Sequence, residues 1–433
     1  MRIIADLQIH SRFSGATSPR MMLSEIGYHA SLKGLNLLGT GDSLHPQWFR
    51  ELRSELQEID GTGIYKLKSG PSDIFFIIQT EVATVHEFQG KARRIHHVIL
   101  FRDLETSKVA AESLSRYGDI SSDGRPVLNI RPVELVEKLL EVDEDCFIFP
   151  AHAWTPWWSI FGAIGGVDKV EECYEDRADK IYAIETGLSS DPPMNWRVSS
   201  LDKYILLSSS DSHSPYPYRL GREAVVLNLE TPSYEELVKA LRTKDRSKVL
   251  MTLEVPPSYG KYHWSGHRRC GVGPIPPEKA KEMDYRCPRC GRRLTKGVED
   301  RVEELADRPR GYRPPDAIDF MYVIPMQELL ALSMNIDYTS ETLLQSKKIW
   351  TEYSRLVNKF GSEYKLLLEA PVQEIARASN EHLASLVNDM RSGELEIVPG
   401  YDGVYGKILP RGKSSGKREK AWQDKSSTLE DYF

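Results

Sequence analysis

Ile3-Ile4-Ala5-Asp6-Leu7-Gln8-Ile9-His10 is a short apolar run with an aspartate inside it and a histidine at its end. Its length and apolar, β-branched content suit a buried strand. The amphipathic stretch Arg20–Lys33 follows, and then a second apolar run, Leu35–Gly39. The alternation continues downstream. Phe75–Thr80, Ile95–Phe101, Phe147–Ala151, Ile181–Ile184, Ile205–Ser209 and Ala224–Leu229 read as strands, and Pro132–Val142 and Ser233–Arg242 as helices. The last helix is entered through Thr231-Pro232, a cap residue followed by a proline suited to the first turn. Strands alternating with helices predict parallel βα units, and this many of them predict a closed or nearly closed α/β barrel over residues 1–256.

Beyond the barrel the composition changes. Residues 257–315 are rich in proline, glycine and basic side chains around a cysteine pair, the pattern of a small inserted module. Residues 316–409 read as a mostly helical accessory, DNA-binding domain, with helices expected at Pro325–Met334 and Thr342–Phe360 and a Gly-rich turn at Pro399–Gly403. Residues 410–433 are basic and nearly free of apolar side chains, so a flexible tail is expected.

The bulk numbers set limits. A net charge of −6 over 433 residues argues against a uniformly basic nucleic-acid coat and leaves room for a local basic face. Five cysteines in a chain this long do not form a disulfide framework, and Cys146 and Cys173 read as packing residues. The first residues read as a strand, without a basic stretch followed by an apolar signal region, and no apolar run approaches the roughly 18 residues of a membrane helix. The expectation is a cytoplasmic protein, nucleoid-associated and without membrane contact.

The distribution of metal-binding side chains carries the chemistry. Asp6 and His10 lie in and at the end of the first strand; Asp42 and His45 follow the second; Glu81 follows the third. His96 begins the fourth, His152 ends the fifth, and Asp211-Ser212-His213 ends the seventh. In a parallel barrel the carboxyl ends of the strands meet on one face, so these residues would converge there. One histidine on a strand is more often a packed core residue than a ligand. The joint pattern is harder to explain by packing, because buried charge is costly unless paired or metal-bound. Imidazoles mixed with carboxylates suit zinc, manganese or iron better than magnesium alone. His97 should face the other side of its strand, and His29, His86 and His382 have no such placement.

A second metal pattern lies in the module. Cys287-Pro-Arg-Cys290-Gly291 is half of a zinc knuckle, and His267-Arg-Arg-Cys270 supplies the other half, with His263 as an alternative to His267. One structural zinc is expected, because the stretch has too little apolar content to fold unaided. Arg268, Arg269, Arg289, Arg292 and Arg293 surround it, either as a solvated face or as a grip on phosphates. Trp154, Trp157 and Trp158, just after His152, read either as the wall of a base pocket or as barrel-rim packing.

The segments Ala5–Ser11, Thr40-Gly-Asp42, Thr80-Glu81, Arg94-Ile-His96, Pro150-Ala-His152 and Ser210-Asp-Ser-His213 resemble the successive motifs of the polymerase-and-histidinol-phosphatase (PHP) family. That resemblance implies a distorted α/β barrel holding two or three divalent ions (zinc, manganese or magnesium) at His10, Asp42, His45, Glu81, His96, His152, Asp211 and His213, with Glu81 and Asp211 catalytic. Two motifs depart from the family. Gln8 stands where the first histidine of His-x-His belongs, and Asp42 with the later His45 replaces Asp-His, His45 reading alternatively as a phosphate contact or as the start of the helix. A barrel followed by the knuckle and by Gly393–Gly406 resembles the endonuclease Q family over nearly the whole chain. The resemblance implies a repair endonuclease that cuts DNA 5′ to deaminated bases (uracil, hypoxanthine, xanthine) or abasic sites, leaving a 3′-hydroxyl and a 5′-phosphate. Leu429-Glu-Asp-Tyr432-Phe433 resembles a box that binds the sliding clamp (PCNA), with Ser426 in place of the usual glutamine. The rival readings are a small-molecule phosphatase of the same barrel family and a non-catalytic DNA- or clamp-binding adaptor with a decayed metal site.

Overall fold

The computed structural model describes residues 1–409; the clamp-type box at Leu429, Tyr432 and Phe433 and the basic tail lie outside them. The chain is mixed α/β, built around one large sheet that curls into a distorted barrel. Its path runs Asp319–Tyr322, Val249–Glu254, Ala224–Asn228, Arg2–Asp6, Leu37–Gly39, Phe75–Phe88, Lys91–Phe101, Phe147–Pro150. A separate parallel pair, Ala183–Glu185 and Ile205–Leu207, fills the gap. Ala153 N–H donates to Glu185 O (3.0 Å) on one side, and His10 N–H donates to Ser212 O (3.0 Å) on the other. Period-two alternation builds the interior. Ile3, Ala5 and Leu7 pack inward with Leu37, Ile77, Val98, Phe149, Leu207 and Val225, whereas Ile4, Leu38, Ile78 and Val226 belong to the layer beneath the helices.

The barrel is not parallel throughout, as the βα alternation had suggested. Arg2–Asp6 pairs in parallel with Leu37–Gly39 but antiparallel with Ala224–Asn228, and Phe75–Phe88 pairs antiparallel with Lys91–Phe101. This last pair is a long hairpin turning at Gln89-Gly90, both with positive φ (52° and 70°), as a tight two-residue turn requires. Its polar outer half, His86 to Arg94, hid it from an apolar-run reading. Consequently Glu81 lies within a strand rather than after one. Glu81 pairs with Val98 and Ala83 with His96, so Glu81 and His96 are diagonal neighbours on one face and His97 is on the other.

The helical unit is present at Met326–Ser333, Glu341–Leu344, Lys347–Phe360, Val372–Ala378 and Glu381–Arg391. It is joined firmly to the barrel. Asp319–Tyr322 extends the barrel's sheet in parallel with Val249–Glu254, and the fully buried Lys33 ammonium donates to Glu363 Oε1 (2.7 Å) and to Pro217 O (2.8 Å). The Gly393–Gly406 stretch returns to the cysteine module. Trp264 N–H donates to Gly400 O (3.1 Å), Gly400 N–H to Ser258 O (2.9 Å), and Thr295 Oγ1 to Asp402 Oδ1 (2.6 Å). A Cβ on Gly400 would lie 2.0 Å from Gly260 O, so only glycine permits this approach. Among the described residues no helix is long and apolar enough to cross a membrane.

Candidate active site

Two trios of ligand-type side chains face each other at one end of the barrel. His10, Asp211 and His213 form one, and Glu81, His96 and His152 the other; within each, the potential donor atoms lie within 4.8 Å of one another. Glu81 joins them. Its Oε2 is 3.0 Å from His10 Nε2, and its Oε1 is 2.6 Å from His96 Nδ1 and 3.7 Å from His152 Nε2. Asp211 Oδ1 is 3.1 Å from His10 Nε2. Burial pushes the His96 imidazole down to about 4, which keeps the ring in the neutral form a metal needs. Burial opposes ionisation of Glu81, yet His96, Arg125 and the other imidazoles hold it well below the usual carboxylate range. Imidazole and carboxylate atoms concentrated this closely fit divalent metal ions.

Of the remaining expected ligands, Asp42 and Asp6 hold these residues in place. Asp42 Oδ1 takes His10 Nδ1 at 3.0 Å, and its Oδ2 accepts from Ser11 N–H (2.7 Å), Ser11 Oγ (2.6 Å) and Ser14 Oγ (2.9 Å), which turns His10 Nε2 inward. Asp42 is outside both trios. His45 is also outside them: it caps the helix Pro46–Glu55, accepting from Trp48 N–H, while its Nε2 lies 3.0 Å from Ser121 O. Asp6 accepts from Ser210 N–H (2.9 Å), Ser210 Oγ (2.6 Å) and Gly221 N–H (2.9 Å), anchoring the loop that carries Asp211. Burial pushes the Asp6 carboxyl up to about 6. Asp42, His152 and Asp211 all have left-handed backbones (φ 48°, 30° and 48°), so three strand ends store strain at this one place.

Gln8 lies inside the site. Its Nε2 donates to Glu81 Oε2 at 2.7 Å, and its buried Oε1 accepts no hydrogen bond among the described residues. A neutral amide oxygen is a weak donor for a metal. Gln8→His is therefore expected to raise the metal retained per chain after dialysis, measured by elemental analysis; equal retention in the two proteins would remove Gln8 from the coordination sphere. Sequence reading missed Glu185, whose Oε2 accepts from His152 N–H at 2.7 Å and whose carboxyl is raised well above its usual value by burial. It also missed Arg125, with Nη1 3.6 Å from Glu81 Oε1. Both fall in segments without a metal-type motif.

The aromatic run divides. Trp154 is buried in the core, with Nε1 donating to Asn195 Oδ1 (2.8 Å), and is unavailable as a pocket wall. Trp158 lies against His96 (centroids 5.2 Å apart), and the exposed Trp157 meets Tyr262 of the module edge to face at 5.5 Å. In the module, His267, Cys270, Cys287 and Cys290 converge, whereas His263 stacks on Trp264 away from them. Burial opposes ionisation of the Cys287 thiol, but the N–H groups of Arg289 and Cys290 and the neighbouring His267 draw it down to about 6. Arg268, Arg269, Arg289, Arg292 and Arg293 are all exposed around this cluster.

Known proteins resemble this chain over most of its length. The lesion-specific endonuclease PfuEndoQ of Pyrococcus furiosus superposes with a TM-score of 0.83 at 34% identity, covering 94% of this chain and 95% of that one. Endonuclease Q in complex with a 27-mer duplex bearing an abasic lesion at its active site also superposes at 0.83 and 34% identity, covering 95% of this chain and 97% of that one. Residues 325–394 match the MJ0043 C-terminal domain family. Uncharacterized protein MJ0043 of Methanocaldococcus jannaschii is 30% identical over 62% of this chain; the match spans 33% of that protein's length. Uncharacterized protein YqxK of Bacillus subtilis is 29% identical over 94% of this chain and 100% of its own length.

Proposed function

Because the chain belongs to the endonuclease Q family, we propose that it cuts one DNA strand on the 5′ side of a deaminated base (uracil, hypoxanthine or xanthine) or an abasic site. It is a metal-dependent DNA endonuclease, and the observation that carries the reading is the Glu81 carboxylate, with one oxygen set against each trio. When bound, divalent ions at this centre supply an activated hydroxide and charge stabilisation for phosphodiester hydrolysis. His10, Asp211 and His213 would hold one ion, Glu81, His96 and His152 another, and Glu81 both. Asp42 and Ser14 fix His10 from its Nδ1 side, and Thr155 Oγ1, 3.0 Å from His152 Nδ1, does the same for His152. Asp211 and His213 keep about a third of their side-chain surface open (30% and 28%), so the phosphodiester enters from their side. A base inside a duplex cannot reach the barrel, so the damaged nucleotide flips out, against Trp157 and Trp158. The exposed arginines of the module grip flanking phosphates, and His267, Cys270, Cys287 and Cys290 would hold one structural zinc that keeps them in register.

The test is incubation of the protein and manganese with duplexes carrying uracil, hypoxanthine, an abasic site or no lesion. A nick 5′ to the lesion is expected, with the undamaged duplex intact. Turnover of a small phosphomonoester with every duplex uncut would identify a phosphatase, and binding without cutting an adaptor; either result rejects the proposal.

The sliding clamp is proposed as a partner through Leu429, Tyr432 and Phe433. Deleting Leu429–Phe433 should leave nicking of a short duplex unchanged and remove binding to purified clamp at moderate salt. Equal clamp affinity of the full-length and shortened chains would reduce the match to coincidence.

A further inference from the structure

We propose that Arg125 is a further catalytic residue, its guanidinium gripping the non-bridging oxygens of the scissile phosphate at the centre formed by Glu81 and Asp211. The inference rests on the nuclease reading above and assigns a role to a side chain outside both trios. Arg125 faces the site: Nη1 is 3.6 Å from Glu81 Oε1, and a quarter of the side chain (26%) remains accessible. That separation is too long for a hydrogen bond. Among the described residues, its side chain has no closer hydrogen-bond or ion-pair partner. Arg222, nearby, is committed to Ser210 O through Nε and Nη2 (3.2 Å each), and Arg12 to Glu51 (2.6 Å). Arg125 therefore brings unused donors, in a planar fork matched to two phosphate oxygens, to the mouth of an acid-lined centre. Glu81, Asp211, Asp123 and Asp42 all act on it and keep it charged, although burial opposes this.

The loop that carries Arg125 is fastened at both ends to the metal-site framework. His45 Nε2 meets Ser121 O (3.0 Å), Gly124 N–H donates to Phe13 O (3.0 Å), and Gly15 N–H donates to Asp123 Oδ2 (3.1 Å). Asp123 Oδ1 accepts from Arg125 N–H (2.9 Å), and Ala83 N–H, two residues after Glu81, donates to Pro126 O (2.9 Å). A Cβ at Gly124 would come within 2.3 Å of Asp42 Oδ2, so the loop passes directly over the carboxylate that orients His10. This fastening explains why His45 sits beside the site without joining it: it holds the arginine loop. A phosphodiester approaching Glu81, Asp211 and Asp42 meets like charge. A cation fixed over the bridging carboxylate offsets that repulsion and favours the extra negative charge of the transition state.

The alternative role is a counter-ion that only steadies Glu81. Arg125→Gln and Arg125→Lys separate the two. Three quantities are read: single-turnover nicking of an abasic-site duplex at saturation with manganese, metal retained per chain, and the affinity of inorganic phosphate measured by calorimetry. Arg125→Gln is expected to cut about 100-fold more slowly. It should retain the wild-type metal content and bind inorganic phosphate roughly tenfold more weakly. Arg125→Lys should recover part of both losses, because it restores charge without the fork. The proposal is overturned by a nicking rate within about threefold of wild type, by metal loss accompanying the slow rate, or by unaltered phosphate affinity. A wild-type protein that cuts no lesion duplex would reject the nuclease reading instead, and the phosphate affinities would still decide whether Arg125 binds phosphate.

Discussion

Asp211→Asn lowers the nicking rate by about three orders of magnitude or more and leaves duplex affinity within a few-fold; this is the largest expected effect. Asp211 Oδ1 lies 3.1 Å from His10 Nε2, and the His10 and His213 imidazoles hold its carboxyl well below the usual carboxylate range, although burial opposes this. The aspartate is thus a fixed negative donor, which an amide cannot be. The substitution is well matched for a test of chemistry. The backbone at 211 is left-handed (φ 48°), a conformation asparagine tolerates, so the strand end should keep its shape. Ser210 remains tied to Asp6, and the basic module is untouched. Affinity measured on an abasic-site duplex without turnover, beside single-turnover rates with manganese, separates binding from cutting. Unchanged turnover would reject the role given to Asp211.

Cys287→Ser should release one zinc per chain and unfold residues 257–315. The module's own core contains only four buried apolar residues, Ile275, Ala280, Cys287 and Leu294, too few to hold it. A closed four-ligand zinc site supplies roughly 10–16 kcal/mol of folding free energy in small domains, so losing one thiolate should be decisive. The damage should spread along defined contacts. The Gly400 turn is fastened to Trp264 and Ser258, and Asp402 to Thr295, so the Gly393–Gly406 stretch should loosen with the module. Loss of register among Arg268, Arg269, Arg289, Arg292 and Arg293 should weaken duplex binding and flatten its salt dependence. Elemental analysis and hydrogen exchange over residues 257–315 and 393–406 provide the measurements. Unaltered zinc content and exchange would reject the structural zinc.

The order of elements was legible because apolar period and turn chemistry are local. Ile3–Ile9, Phe147–Ala151 and Ala224–Leu229 announce strands through their own composition, and observed strands occupy Arg2–Asp6, Phe147–Pro150 and Ala224–Asn228. The outer half of the Phe75–Phe88 hairpin was not legible, since its residues are polar and only pairing with Lys91–Phe101 makes them a sheet. The pairing directions were also beyond local reading: a strand's residues do not record whether its neighbour is parallel or antiparallel.

The same division runs through the site. The sequence by itself determined the donor types: the histidines and carboxylates at 10, 81, 96, 152, 211 and 213, and the His/Cys set at 267, 270, 287 and 290. Only the tertiary structure decided which of them meet. Asp6, Asp42 and His45 have the same chemistry as the members of the trios, yet they support the Asp211 loop, His10 and the Arg125 loop. Arg125 and Glu185 carry no motif and reach the centre through the fold. Residue type fixes what an atom can bind, whereas three-dimensional distance fixes what it does bind. Coordination and hydrogen bonding fall off within a few tenths of an ångström, a scale that spacing along a chain of 433 residues cannot specify.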